Sequence, residues 1–323
     1  MAPGSQSRIL LLGASGQLGM QLVRNLHGHG DFTALTRAEL DLSDIAAVRA
    51  AVRNAAPKIV INAAAYTAVD KAESEPEIAA LINGVAPAAI ADELASTNGW
   101  LIHYSTDYVF DGSGVVPWLE TDLTGPLNAY GKSKLAGEEA IAATGANHII
   151  LRTSWVYAAE GRNFLHTMLR LGRDREELKI VADQIGAPTS AEALTQATSA
   201  ILTRLEKTGL DATSLDSTSL DSSSLDATSL DATRLDALSG LYHLTCAGET
   251  SWYGFAEAIF AAFADRQKPP RLVPISTEAF PTPAQRPRNS RLNCSKFAQT
   301  FDYTMPHWQT ALDSVVSELK AGQ

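Results

Sequence analysis

The run Arg8-Ile9-Leu10-Leu11-Leu12 leads straight into Gly13-Ala14-Ser15-Gly16-Gln17-Leu18-Gly19, and this junction decides the fold. A short apolar strand pattern stops at a glycine, and Leu18–Leu26 then takes up helical spacing. Gly13, Gly16 and Gly19, with Ser15 between them, suit a tight turn. They let backbone approach a pyrophosphate at the helix N-terminus, where free N–H groups and the helix dipole favour an anion. Glycines alone say little; between a strand and a helix they carry weight. The plainer alternative is a βα turn that holds no ligand.

The same alternation continues outward. Phe32–Leu35 reads as strand, Ile45–Ala55 as helix and Lys58–Asn62 as strand, with Pro57 ending the helix before it. Ile78–Ser96 reads as helix, Trp100–Ser105 as strand, Tyr130–Ala143 as helix and His148–Arg152 as strand. This succession predicts an α/β fold: a Rossmann-like, doubly wound parallel sheet with helices on both faces. After Thr153 the rhythm loosens. Helices at Asn163–Gly172, Ala191–Leu205, Trp252–Ala264 and Trp308–Leu319, with a strand near Lys179–Val181, suggest a smaller C-terminal substrate-binding lobe. The expected division is residues 1–153 for the dinucleotide and mainly 154–323 for the substrate, with some segments returning to the first domain.

Residues 210–239 interrupt this pattern with a five-residue repeat, Leu-Asp-Ala-Thr-Ser and its variants. A β-helical turn with stacked leucines is one reading. A low-complexity loop insertion is preferred, because so few repeats bury only a thin apolar row and Ser, Thr and Asp compete for their own backbone. The chain has 323 residues, 45% hydrophobic and 19% charged, enough apolar residues to bury a normal core. Its net charge of -10 argues against nucleic acid as a partner. The repeat, with six Asp and one Arg, holds half of that excess. There is no run of about 18 apolar residues to suggest a membrane span. The first seven residues do not read as a signal peptide. Two cysteines make neither a disulfide framework nor a zinc cluster. The His spacing supports no metal. A cytoplasmic enzyme is the expectation.

The end of the second strand normally carries an acid for the adenosine ribose. Here it carries Thr36 and Arg37. A hydroxyl and a guanidinium suit a 2′-phosphate, since Arg pairs bidentately with phosphate. NADPH is therefore the first choice and NADH the second, with Glu39 as the ribose acid if the strand runs longer. Asp41 and Leu42 would bracket the adenine ring.

Tyr130-Gly131-Lys132-Ser133-Lys134 places Tyr130 and Lys134 at i and i+4, on one helix face. An ammonium there lowers the phenol's pKa and helps it exchange a proton with a carbonyl or alcohol oxygen. Upstream, Tyr104-Ser105-Thr106-Asp107-Tyr108-Val109-Phe110-Asp111-Gly112 ends a central strand, where open α/β sheets bind ligands. Ser105 or Thr106 can set a hydroxyl on the same oxygen. Hydroxyl, phenol and ammonium together make a reductase constellation.

The Gly-x-x-Gly-x-x-Gly spacing is typical of short-chain dehydrogenase/reductases. Asn62–Glu73, Tyr104–Gly112, Pro126–Lys134, Arg152–Tyr157, Ala182–Thr189 and Arg286–Ser290 narrow the match. With these stretches the chain resembles the dTDP-4-dehydrorhamnose reductases, extended members of that superfamily, over nearly its whole length outside the repeat. The resemblance implies NADPH-dependent reduction of a 4-keto sugar nucleotide for cell-surface polysaccharide. Tyr130 would then donate the proton, Lys134 hold the nicotinamide ribose, and Thr106 bond the keto oxygen. Gly16, Gln17, Leu18, Asp41, Leu42, Ala65, Tyr66 and Thr67 would line the cofactor. Thr106, Asp107 and Trp155 would meet the sugar nucleotide. Trp155 reads alternatively as core between the lobes. Arg286 and Arg288 read either as a pyrophosphate clamp or as a solvated basic patch. Some relatives form homodimers through Mg²⁺ held by glutamates; Gln21 stands where one such Glu is expected, which counts against a metal here. Two rival activities remain: a non-catalytic regulatory subunit of methionine adenosyltransferase type, and a reductase giving the 6-deoxy-talose epimer.

Overall fold

The computed structural model describes residues 8–26, 28–208 and 237–322. Its centre is a parallel sheet. The strands are β1 (Ile9–Leu12), β2 (Phe32–Leu35), β3 (Ile59–Asn62), β4 (Trp100–Thr106) and β5 (Asn147–Thr153), joined by a sixth strand, Gly240–His243, and the order is 2-1-3-4-5 followed by that late strand. All neighbours are parallel, with Leu12 beside both Leu35 and Asn62, and Thr106 beside Thr153. The order reverses between β1 and β3, so the crevice for a ligand opens above their C-terminal ends.

The pleat sorts the strand residues into two cores. Ile9, Leu11, Ile59, Ile61, Ile102 and Leu151 face one layer, built on α1 (Gln17–Asn25) and the helix Ala191–Lys207. Leu10, Leu12, Val60, Leu101 and Ile150 face the other. That second layer is formed by α2 (Ile45–Ala55) and by the helices between β3 and β5. Strands covered on both faces read as near-continuous apolar runs, which is why Ile9–Leu12 is so legible.

The helix expected over Ile78–Ser96 is not one regular element. After the short α3 (Val69–Ala72), α4 (Pro76–Ala80) passes through a π-helical turn, Leu81–Val85, into α5 (Ala86–Ala95). Pro87 has no N–H to give to the Asn83 carbonyl, so the ladder slips by one residue there. The freed turn packs against α6 (Ala129–Ala143), where a side chain on Gly137 would collide with the Asn83 oxygen. By length and composition Pro76–Ala95 could cross a membrane, but 56% of its apolar window is buried inside this fold.

In the second half the chain crosses back to the sheet through Gly240–His243. A parallel pair, Glu177–Val181 with Arg271–Ile275, and a helix at Ser295–Phe301 complete it. Of the repeat, residues 210–236 lie outside the described residues. Its last residues are anchored: Leu238 is buried and Ser239 exchanges hydrogen bonds with the His148 backbone. A deletion should therefore spare them. Removing 210–236 behind a short Gly/Ser link is expected to leave kcat and Tm at their starting values, since loop-closure entropy grows only slowly with length. A large drop in Tm would show that the repeat packs.

Candidate active site

A cavity of about 780 Å³ opens above the switch point between β1 and β3. Gly13 forms its floor with φ +86°, and a Cβ there would lie 2.7 Å from the Ala64 nitrogen. Only glycine accepts both that conformation and that contact. Gly16 precedes α1, whose start has no side-chain cap, so the first helical N–H groups are unspent. Gly13, Ser15, Gly16, Gln17 and Leu18 all line the cavity. This cradle fits a pyrophosphate, and with it a dinucleotide.

Gly19 lies outside the lining, contrary to expectation. A Cβ there would sit 2.0 Å from the Gly13 oxygen, so Gly19 serves the close packing of helix on turn. Thr36 also stays out. Its N–H and hydroxyl both donate to the Glu39 carboxylate, at 2.8 Å each. Those bonds, both to Oε2, hold the Glu39 carboxyl below its usual range, and Glu39, the alternative ribose acid, does not line the cavity. Arg37 does line the cavity, with its guanidinium exposed and 3.8 Å from Asp41. Asp41, Leu42, Ala65, Tyr66 and Thr67 complete this end.

At the other end lie Thr106, Asp107, Tyr130, Lys134 and Trp155. Thr106 ends β4, and α6 brings in the Tyr-x-x-x-Lys pair behind its Asn128 cap, which accepts from the Gly131 N–H at 2.8 Å. The Thr106 hydroxyl donates to Asp107 Oδ1 at 3.1 Å, accepts from the Tyr108 N–H at 3.2 Å and lies on the Tyr130 side of the cavity, where it eases the phenol's proton affinity. The Ser105 hydroxyl points to the opposite face and donates to Glu138. Of the two candidate hydroxyls, Thr106 is the one placed beside the phenol.

The expected lowering of the Tyr130 pKa by Lys134 does not appear. Burial pushes the phenol up to about 12, the Thr106 hydroxyl eases it, and the Asp107 charge raises it further. Lys134 Nζ is turned to the Tyr104 carbonyl at 2.6 Å and to His103 Nε2 at 3.0 Å. Burial brings Lys134 down to about 8. Burial also raises Asp107 to about 7, and its Oδ2 is buried without a hydrogen-bond partner.

Arg286 lines the cavity, bonded through both terminal nitrogens to Asp70 at 3.1 and 2.9 Å. Arg288 does not line it; its guanidinium pairs with Glu278 and lies 3.9 Å from Asp183. Trp155 is a cavity wall rather than core, with φ +51°, a costly conformation for a bulky residue. Its ring stacks on Trp252 at 3.7 Å. Trp252, Phe164, Arg162, Ser154 and Tyr108 also line the cavity and were missed. Tyr108 and Ser154 sit beside Asp107 and Trp155 in stretches already singled out; no local spacing marks Arg162, Phe164 or Trp252, which later segments bring in. Gln21 is buried in α1 and bonds Asn25. Among the described residues no three His, Cys, Asp or Glu side chains gather as a metal site.

A Gly-rich βα turn facing a Thr, Tyr and Lys set across one crevice defines a nicotinamide-dependent reductase of the short-chain type. The family model described as the RmlD substrate binding domain matches residues 7–213 and 222–321, and the chain belongs to that family. It is 44% identical to the dTDP-4-dehydrorhamnose reductase of Escherichia coli K12, covering 96% of this chain and 97% of that one. A solved dTDP-4-dehydrorhamnose reductase from Clostridium acetobutylicum superposes with a TM-score of 0.80 at 34% identity, over 97% of this chain and 99% of that one. The Bacillus anthracis reductase, solved in complex with NADP, gives the same TM-score at 33% identity and the same coverage.

Proposed function

We propose that this chain reduces the 4-keto group of dTDP-4-dehydro-L-rhamnose with NADPH, giving dTDP-L-rhamnose. The observation that carries the reading is that Thr106, Tyr130 and Lys134 line the same cavity that the glycine turn floors. NADPH, when bound, supplies the hydride. Gly13, Ser15, Gly16, Gln17 and Leu18 would hold the pyrophosphate, with Arg37 at the 2′-phosphate and Asp41, Leu42, Ala65, Tyr66 and Thr67 along the nucleoside. Tyr130 gives its proton to the keto oxygen as negative charge develops there. Thr106 holds that oxygen in register, and Lys134 holds the nicotinamide ribose. Asp107, Trp155 and Arg286 would meet the sugar nucleotide; Arg288, spent on its acidic partners, has no part in it. The residues up to Thr153 serve mainly the cofactor and the later ones mainly the sugar. Cytoplasmic action and a homodimer belong to the same reading.

The test is incubation with dTDP-4-dehydro-L-rhamnose and NADPH, with the product sugar identified by NMR. A rhamno product is expected. A 6-deoxy-talo product would overturn the facial assignment, and no turnover with intact NADPH binding would favour a regulatory role. The cofactor assignment has its own check. Arg37→Ala is expected to cut the preference for NADPH over NADH by roughly 10- to 150-fold, the worth of one charge-assisted bond. Equal losses for both cofactors would remove Arg37 from the 2′-phosphate.

A further inference from the structure

Asn62 and His103 stand directly opposite each other in the β3–β4 pairing. Both belong to the strand face otherwise filled by Leu10, Val60 and Leu101. Polar residues on such a face must find partners within the protein. Asn62 and His103 are 0% exposed and Lys134, from the helix above, is 1% exposed. The three form one chain. The Ala64 N–H donates to Asn62 Oδ1 at 3.2 Å, which turns the Asn62 NH₂ toward His103 Nδ1 at 3.1 Å. His103 Nε2 then faces Lys134 Nζ at 3.0 Å, and Nζ donates to the Tyr104 carbonyl at 2.6 Å.

The donors fix the order. Burial, and then the Lys134 charge, keep His103 well below its usual proton affinity, so the ring is neutral and carries one proton. With Nδ1 accepting from Asn62, that proton is on Nε2. Nζ therefore meets a donor on one side and an acceptor on the other. An amine satisfies both contacts, whereas an ammonium must oppose the Nε2–H.

We propose that His103, oriented by Asn62, is a positioning residue for Lys134: it fixes Nζ at the cavity wall and keeps the lysine proton exchangeable with the cofactor and Tyr130. The proposal rests on the reading of Lys134 as the residue that holds the cofactor ribose. Other charged groups near Lys134 do not supply this control. Tyr130 and Glu138 share its helix, and Glu138 raises the Lys134 proton affinity while paired with Arg152 of β5. Asp107 and Tyr108, after β4, are engaged with Thr106 and the Tyr130 ring. On α3 to α5, Asp70 pairs with Arg286, Lys71 with Glu75, Asp92 and Glu93 with Arg49, and Glu77 is exposed.

Long-range ¹H–¹⁵N correlation of histidine-labelled enzyme reads the tautomer directly, with His103 assigned by its loss in His103→Gln. A proton on Nε2 is expected; a proton on Nδ1 would overturn the proposal. Asn62→Asp keeps the shape, offers Nδ1 an acceptor and should move the proton there, leaving Nε2 to accept from the ammonium. Since the ammonium's charge strengthens its hydrogen bond to a cofactor hydroxyl, kcat/KM for NADPH falls as pH rises through the Lys134 titration. Asn62→Asp should carry that fall upward by about one pH unit, and the shift should vanish in a His103→Leu background. A moved tautomer with an unmoved pH profile would also overturn the proposal. NADPH binding by fluorescence separates the two levels. His103→Leu should weaken it about 3- to 10-fold and His103→Gln should restore most of that, the scale of one hydrogen bond. If Lys134→Met leaves binding and kcat intact, the reading of Lys134 fails. If Lys134→Met is impaired and His103→Leu is not, only the positioning role fails.

Discussion

Tyr130→Phe is expected to lower kcat by about 10²- to 10⁴-fold, the usual contribution of a placed general acid. The ring keeps its packing, including the edge contact with Tyr108 at 5.8 Å, so NADPH affinity should hardly change. The phenol sits high, at about 12, because it is buried beside Asp107. It is therefore protonated across the working pH range, as a donor to a keto oxygen must be. Lys134→Met should differ in kind, with cofactor affinity and kcat falling together. Thr106→Val should cost less than Tyr130→Phe, since one hydrogen bond to the oxygen is lost and the proton donor stays. Stopped-flow hydride transfer and NADPH fluorescence titration separate these outcomes. Near-normal turnover by Tyr130→Phe would require another proton donor.

The largest stability effect is expected at Glu138. Its carboxylate takes Arg152 Nε at 3.0 and 3.1 Å and a terminal nitrogen at 2.6 Å, and it also accepts the Ser105 hydroxyl. Both side chains are almost wholly buried between α6 and the sheet. Glu138→Leu leaves the Arg152 charge buried without its anion, at a cost of about 3–5 kcal/mol. Arg152 would keep only its stacking over Phe110, 4.9 Å from the ring centre. Glu138→Leu with Arg152→Met removes both charges and should recover most of the loss, because an apolar pair of similar volume costs no desolvation. Urea unfolding of the three variants measures this. A loss below about 1 kcal/mol in Glu138→Leu would place the pair in the range of solvent-screened surface bridges.

Much of the fold was legible because its signals are local. Pro57 closes α2, Gly13 ends β1, and the buried strands are unbroken apolar runs; each is a statement about neighbouring residues. The Tyr130 and Lys134 pair was legible for the same reason, since i and i+4 share a helix face wherever the helix sits. The π turn at Leu81–Val85 was less so. Pro87 signals a missing donor, but the slip it causes also depends on α6 packing against the turn through Gly137. Thr36 and Arg37 looked equivalent as strand-end residues. The Glu39 carboxylate takes one and leaves the other at the cavity.

The sequence by itself determined the alternating α/β order, the glycine cradle and the spacing of phenol and ammonium, because turn geometry and helix period act over a few residues. Only the tertiary structure decided which hydroxyl joins the phenol, which arginine reaches the cavity and what holds Lys134. Thr106 and Ser105 are adjacent in sequence and both line the cavity, yet the pleat turns the Thr106 hydroxyl toward the phenol and the Ser105 hydroxyl to Glu138. Arg286 and Arg288 lie two residues apart, but Asp70 and Glu278 draw them to different places. Asn62, His103 and Lys134 come from two strands and a helix, and only sheet register and helix docking bring them into one line.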